Sequence, residues 1–437
     1  MSFKRQFIII GILVVLSSCS SSSVDIDDID APTDTAPDKP NILLVIADDM
    51  GLDATPNFPE GIIKPDMPNL QALMNSGVTF KNVWSYPVCS PTRASILTGK
   101  YGSKTGVLEV GNTINTTETS IQQFLDDTTS SAYASAIIGK WHLSNSATDP
   151  ITMGVDYFAG LLLGGVQSYT NWNLTENGST SNSTEYTTTK FTDLAIDWVD
   201  NQSKPWFMWL AFNAPHTPLH LAPTNLHSQG NLPTDVASIE ANPIPYYMSA
   251  IEAMDTELGR FINSLSVEEK ANTVIIFVGD NGTPNEVAQF PYSRRKAKNS
   301  LYQGGVNVPM VVSGAGVSRV NAQEGALIHT SDLFSTIASI AGVSTSTREN
   351  STSFYSLLTN SNATTREYVY TEISNNGIGY AIRNATYKLI KYDNGVEEFY
   401  NLSTDAYENS NLIGTSLSSE ATNAKVALEA EANSIRN

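Results

Sequence analysis

Asn41-Ile42-Leu43-Leu44-Val45-Ile46-Ala47, followed at once by Asp48-Asp49-Met50-Gly51, is the stretch that decides the fold. After Asn41 the run is apolar without alternation, the pattern of a strand buried on both faces of a parallel sheet. The same grammar recurs three times. Ala134 to Ile138 runs into Gly139-Lys140-Trp141-His142, Trp206 to Phe212 into Asn213-Ala214-Pro215-His216, and Thr273 to Val278 into Gly279-Asp280-Asn281-Gly282. Between the last two, Tyr247, Ile251, Met254, Leu258, Phe261 and Leu265 fall at helical spacing and predict a core-facing helix. The fold class expected is therefore α/β, a mostly parallel, doubly wound sheet flanked by helices. Ligands of such sheets bind beyond the carboxyl ends of the strands. Each polar cluster alone is an ordinary loop capping a strand, but all four converge on one edge.

Outside this body the composition changes. Ser344 to Thr365 is rich in Ser, Thr and Asn and reads as a boundary. Beyond it, Tyr380–Ile382, Tyr387–Tyr392 and Glu398–Asn401 predict a small antiparallel sheet, with Ala421 to Ile435 as a terminal helix. At the other end, Lys4 and Arg5 precede an apolar run, Phe7 to Leu16, too short to span a bilayer. Leu16-Ser17-Ser18-Cys19 resembles the lipobox of bacterial lipoproteins, with Cys19 the lipidated residue. The expected organisation is a signal peptide over 1–19, an acidic, Ser-rich tether over 20–39, an α/β domain over 40–362 and a C-terminal subdomain over 363–437. It places the protein in the cell envelope, lipid-anchored at the outer membrane or cell surface or facing the periplasm. The chain carries 25 Lys and Arg against 44 Asp and Glu, a net charge of −19. Cleaving the two basic residues away leaves 23 against 44, or −21. Such a surface excludes nucleic acid as a partner, since phosphate binding needs a basic face.

Only two cysteines occur in the 437 residues. With Cys19 explained by export, Cys89 has no disulfide partner in the folded body. A lone thiol is usually a small buried hydrophobe. Here it opens Cys89-Ser90-Pro91-Thr92-Arg93, where a helix can start, and Arg93 follows it by about one helical turn.

On these residues the chain resembles the type I, formylglycine-dependent sulfatases of the alkaline phosphatase superfamily, from about Pro40 to Leu412. Cys89-x-Pro91-x-Arg93 is similar to the signature that a formylglycine-generating maturation enzyme reads to oxidise the cysteine to 3-oxoalanine (formylglycine). The resemblance implies hydrolysis of sulfate esters. One hydroxyl of the hydrated aldehyde attacks sulfur to give a covalent sulfo-enzyme, and deprotonating the other expels sulfate. It also implies roles. Asp48, Asp49, Asp280 and Asn281, with the hydrate from Cys89, would hold a hard cation, Ca²⁺ by preference with Mg²⁺ as the alternative. Arg93 would hold the nucleophile, Lys140 would bind sulfate, and His142 would meet the second hydroxyl. His216 and Lys298 would contact sulfate and protonate the departing alcohol. Five histidines in all are too few to favour a two-zinc phosphatase site once two are assigned elsewhere.

The sequence departs from the family where Gln303-Gly304-Gly305-Val306-Asn307 stands for Glu-Gly-Gly-x-Arg, which makes the nearby Lys298 the assignment most exposed to local change. Lys100 is left out of the site. Gly164 to Trp172 is expected to contribute to the substrate pocket, with Tyr169 and Trp172 either stacking on sugar rings or serving the core. The substrate expected is a sulfated carbohydrate, algal or otherwise. Two other readings stay open: a phosphonate or phosphodiester hydrolase with the same nucleophile, and an unconverted lipoprotein that only binds sulfated glycan.

Overall fold

A computed structural model describes residues 39–345, 350–374 and 377–437. The proposed lipobox Cys19, the signal peptide and the tether up to residue 38 lie outside the described residues.

The central strand, β1 (Asn41–Ala47), is buried along its whole length. Its side chains alternate between two cores: Leu43, Val45 and Ala47 enter one, while Ile42, Leu44 and Ile46 enter the other. Both faces of the sheet are covered, which is why the run shows no polar alternation. Each such side chain contributes roughly 1.5–3 kcal/mol by leaving water.

Nine further strands complete the sheet: β2 (Val78–Trp84), β3 (Ala134–Lys140), β4 (Tyr157–Leu161), β5 (Trp172–Glu176), β6 (Ser179–Ser183), β7 (Trp206–Ala211), β8 (Thr273–Gly279), β9 (Met310–Gly314) and β10 (Ala322–His329). Their order is β10-β2-β9-β8-β1-β7-β3-β4-β5-β6. β8, β1, β7, β3 and β4 are mutually parallel; β9 runs antiparallel to both its neighbours, and β5 to β4 and β6. The predicted helix spans Ile244–Ser264 and buries Tyr247, Ile251, Met254, Leu258 and Phe261.

Cys89 follows β2, a strand absent from the four read in the sequence because Lys81 and Asn82 interrupt its apolar pattern. β9 and β8 separate β2 from β1. The helix that starts at Cys89 (Cys89–Thr98) carries the thiol back to the common edge, and every one of its residues is buried.

The second sheet is antiparallel, in the order β11 (Val369–Ile373), β12 (Gly379–Arg383), β13 (Tyr387–Tyr392), β14 (Glu397–Asn401). The terminal helix Ser419–Arg436 packs on one face through Ala421, Leu428 and Ala432. The other face meets Trp84, Leu301 and Val306 of the main body.

Candidate active site

Backbone bonds first tie the strand ends together. Asp280 N donates to Ala47 O at 3.1 Å, and Asp48 N to Ala214 O at 3.1 Å, so the loops after β1, β7 and β8 share one scaffold. Asp49 sits in the left-handed region (φ 68°), a conformation that costs a non-glycine residue roughly 1–3 kcal/mol. Two bonds hold it there: its N–H donates to Asp280 Oδ1 (3.0 Å), and Tyr247 donates its hydroxyl to Asp49 O (2.7 Å). On β3, Gly139 has φ 106°, and a Cβ there would lie 1.9 Å from Ala211 O. Only glycine lets β3 deliver Lys140 so close to β7.

Three cations interleave with three carboxylates. Arg93, fully buried, donates to Asp280 Oδ2 (2.7 Å) and to Lys140 O (2.9 Å), and lies 3.8 Å from Asp48 Oδ1. Lys140 Nζ donates to Asp48 Oδ2 at 2.5 Å, so this lysine, expected on sulfate, is paired with a carboxylate here. Lys298 Nζ donates to Asp49 Oδ2 at 2.6 Å. Although Lys298 adjoins the basic run 294–296, it is ion-paired and largely buried, not a solvated surface lysine. Burial alone would raise Asp48, but Lys140, His216, Arg93 and Lys298 outweigh it and hold its carboxyl far below the usual range. Burial and the neighbouring Asp48 push Asp280 up to about 7. Burial would lower Lys298, yet Asp49 pulls it well above the usual lysine range.

Cys89, His142, His216 and Lys298 line one cavity of about 460 Å³, together with Val110, Gly164 and Asn299. Cys89 is the first residue of its helix, and burial lifts its thiol to about 12. As a plain cysteine it is therefore a poor nucleophile. His142 is held neutral, near 2, by burial and then by Lys140 and Arg93, and its Nδ1 has no hydrogen-bond partner. His216 Nδ1 is 2.7 Å from Thr217 O, so that nitrogen carries the proton and Nε2 faces Asp49 at 3.7 Å.

The acidic cluster suits a hard cation. Ligand atoms of Asp48, Asp49, Cys89 and His216 lie within 4.8 Å of one another. Asp48 Oδ1 and Asn281 Oδ1 are buried with no hydrogen-bond partner among the described residues, while Asn281 Nδ2 donates to Asp49 Oδ1 at 2.7 Å. Orphaned buried oxygens carry a desolvation cost that a bound cation would remove. An all-oxygen set of carboxylates and an amide fits calcium or magnesium.

The structure thus gathers every residue expected in the site. It also shows bonds around them that sequence reasoning could not supply. Tyr169 donates its hydroxyl to Asn213 O (2.9 Å) and His216 O (2.6 Å), fixing the loop that presents His216. Trp172 donates Nε1 to Glu185 O and packs on Phe191. Both rings are buried; Tyr169 serves the core, while Trp172 packs in the core and also lines the cavity walled by β5 and β6. At the departed motif, Gln303 Oε1 accepts from Trp84 Nε1 (2.9 Å), and Asn307 Nδ2 donates to Lys81 O (3.1 Å). Both side chains thus make neutral bonds, and Gly282 N donates to Gly305 O at 3.0 Å, next to Asn281.

The sulfatase family model matches residues 40–343. The chain belongs to the sulfatase family. A second model, N-sulphoglucosamine sulphohydrolase, C-terminal, matches residues 295–435. Among relatives, this sulfatase is 27% identical to the uncharacterized sulfatase YdeN of Escherichia coli (strain K12) over 336 residues, 62% of this chain and 57% of that one. It is 24% identical to arylsulfatase G of Rattus norvegicus over 373 residues, 71% and 66% of the two chains. The matches span about three-fifths to two-thirds of these relatives' length. Among solved structures, Ps i-CgsB in complex with k-i-k-neocarrahexaose superposes with a TM-score of 0.76 at 24% identity, covering 91% of this chain and 92% of that one. A protein solved with its substrate D-glucosamine-2-N,6-O-disulfate gives 0.76 at 20% identity, over 91% and 98%. These likenesses establish the sulfatase fold.

Proposed function

We propose that this protein hydrolyses sulfate esters on a sulfated carbohydrate, releasing sulfate and the free alcohol. The observation that carries the reading is the placement of Cys89 at a helix start, facing His142, His216 and Lys298 across one cavity and backed by an oxygen-rich acidic cluster. The carbohydrate class rests on the saccharides bound in the two similar structures. Cys89 would be oxidised to formylglycine by a maturation enzyme, and its hydrate would supply at position 89 a nucleophilic hydroxyl and a second hydroxyl for the release of sulfate. Calcium, or magnesium in its place, would be held by Asp48, Asp49, Asp280 and Asn281 and would supply the positive charge that keeps a nucleophile ionised. Cys19 anchors the protein by lipid in the cell envelope.

The chain's own residues do the rest. Arg93, pinned between Asp280 and Lys140 O, fixes the helix that carries position 89. Lys140 and Lys298 balance the carboxylates and are placed to meet sulfate oxygens as they approach. His142, whose Nδ1 has no partner among the described residues, is placed to hydrogen-bond the second hydroxyl. His216, with Nδ1–H given to Thr217 O, turns Nε2 toward the cavity, and the ring delivers a proton to the departing oxygen from its doubly protonated form.

The test uses the full chain matured to formylglycine, checked by mass spectrometry of the peptide Asn82–Arg93. Sulfate release is measured on a panel of sulfated glycans and on 4-nitrophenyl sulfate. Chelation should abolish turnover, and calcium should restore it. No sulfate released from any substrate by the matured protein overturns the proposal, and a faster reaction on phosphodiesters assigns the site to that chemistry.

A further inference from the structure

A second cavity, of about 580 Å³, opens beside the first, and Gly164-Gly165 forms the wall between them. Gly164 borders the Cys89 cavity under His142, and Gly165 borders the second cavity, where a Cβ would lie 3.2 Å from His216 Cε1. The second cavity thus begins on the His216 side, where the alcohol departs under the proposed activity.

Its far wall is the β5–β6 hairpin. Asn173 pairs with Asn182 and Thr175 with Thr180, two cross-strand pairs on one face because side chains alternate along a strand. The two threonine hydroxyls lie 2.8 Å apart. Asn145, Gln167 and Asn171 add further carboxamides, and no Asp, Glu, Lys or Arg is among the described lining residues. None of the five carboxamide side chains has a hydrogen bond within the described residues. Leu163, 58% exposed, supplies an apolar patch at the rim.

A carboxamide both donates and accepts, which matches a sugar hydroxyl. Sulfate or carboxylate would call for arginine or lysine. In a chain of net charge −19, a wall without any cation is a poor host for a second sulfate. We infer that this hairpin groove is a subsite for an uncharged sugar unit joined to the sulfated one, so that the preferred glycan carries neutral units beside the ester that is cut. The inference rests on the proposed activity for its place in the reaction, and on the groove alone for its ligand.

Two measurements test it. The matured protein and its Asn173→Ala/Asn182→Ala variant are assayed on sulfated oligosaccharides whose neighbouring unit is neutral or sulfated, with 4-nitrophenyl sulfate as the reference. Loss of two hydrogen-bonding side chains should raise KM for the neutral-neighbour substrate about tenfold and leave kcat nearly constant, so that its advantage over the aryl sulfate shrinks. Asn182→Lys should instead lower KM for the sulfated neighbour. Equal KM values in the wild type, or a preference there for the sulfated neighbour, overturn the subsite. Calorimetry of the unreacted protein with neutral galactan, glucan and mannan hexasaccharides is independent of turnover. Binding that weakens in the double variant supports the groove, and absence of binding to all three overturns it. If sulfate is never released while a neutral hexasaccharide binds, the activity reading fails and the subsite stands.

Discussion

Gly164 illustrates how little space separates function from obstruction. A Cβ at this position would lie 2.4 Å from His142 Nε2 and 2.5 Å from Cε1, so alanine must displace the imidazole. Gly164→Ala should lower kcat by about 10-fold or more through misplacement of His142, with a melting temperature near that of the wild type; unchanged kcat would mean the ring has room to move. In the sequence this glycine is visible only as the start of Gly164 to Trp172, the stretch expected in the substrate pocket. Its role depends on His142, which comes from another strand end. The same holds for Tyr247, read as core, and Tyr169, read as either core or sugar-stacking, whose hydroxyls brace Asp49 and His216 across separations of 198 and 47 residues. By contrast, Asp48, Asp49, Lys140, His142, His216, Asp280 and Asn281 were legible because each follows an uninterrupted apolar strand. Apolar periodicity locates strand ends; it says nothing of which hydroxyl reaches them.

Elements differ in how clearly they announce themselves. β1, β7 and β8 are buried on both faces and read as continuous apolar runs. β6 (Ser-Thr-Ser-Asn-Ser) is almost wholly exposed and has no apolar signal, so the hairpin that walls the second cavity was invisible. The second sheet was legible from β12 to β14, but its link to the site was not. Glu408 Oε1 is 2.5 Å from buried Lys388 Nζ, while Oε2 accepts from Gln303 N at 2.8 Å. The pair thus props the turn that bonds Gly282, beside Asn281. Glu408→Leu should cost about 3–5 kcal/mol by stranding a buried ammonium, whereas Glu408→Leu with Lys388→Met should recover most of it. Denaturant unfolding of both variants measures this. Equal losses would show that the ion pair matters only through packing.

For the molecule as a whole, acid sensitivity has an identifiable source outside the site. His329 is fully buried between the edges of Tyr86 and Tyr101, with Ser331, Asp332 and Arg366 around it. Burial, and then Arg366, drop its imidazole well below the ordinary value. The folded protein keeps it neutral where the unfolded chain takes up a proton near pH 6.5. Below that value the unfolded state binds more protons, so stability falls as pH drops through about 6.5. Asp332, raised by burial, acts with opposite sign at lower pH, so the informative quantity is the difference from His329→Gln. The variant should show a flatter stability curve between about pH 7 and 5; parallel curves would place the sensitivity elsewhere. Burial of another kind governs how the proposed enzyme comes to exist. Cys89, Pro91 and Arg93 all lie inside the finished sheet assembly. A catalyst that must grip those three side chains finds none of them on the folded surface. Under the proposed maturation, oxidation of Cys89 would compete in time with folding: a chain that closes first would keep its thiol for good. Slowing folding, by lower temperature during expression, should raise the converted fraction, and the yield of active protein would then report a ratio of two rates.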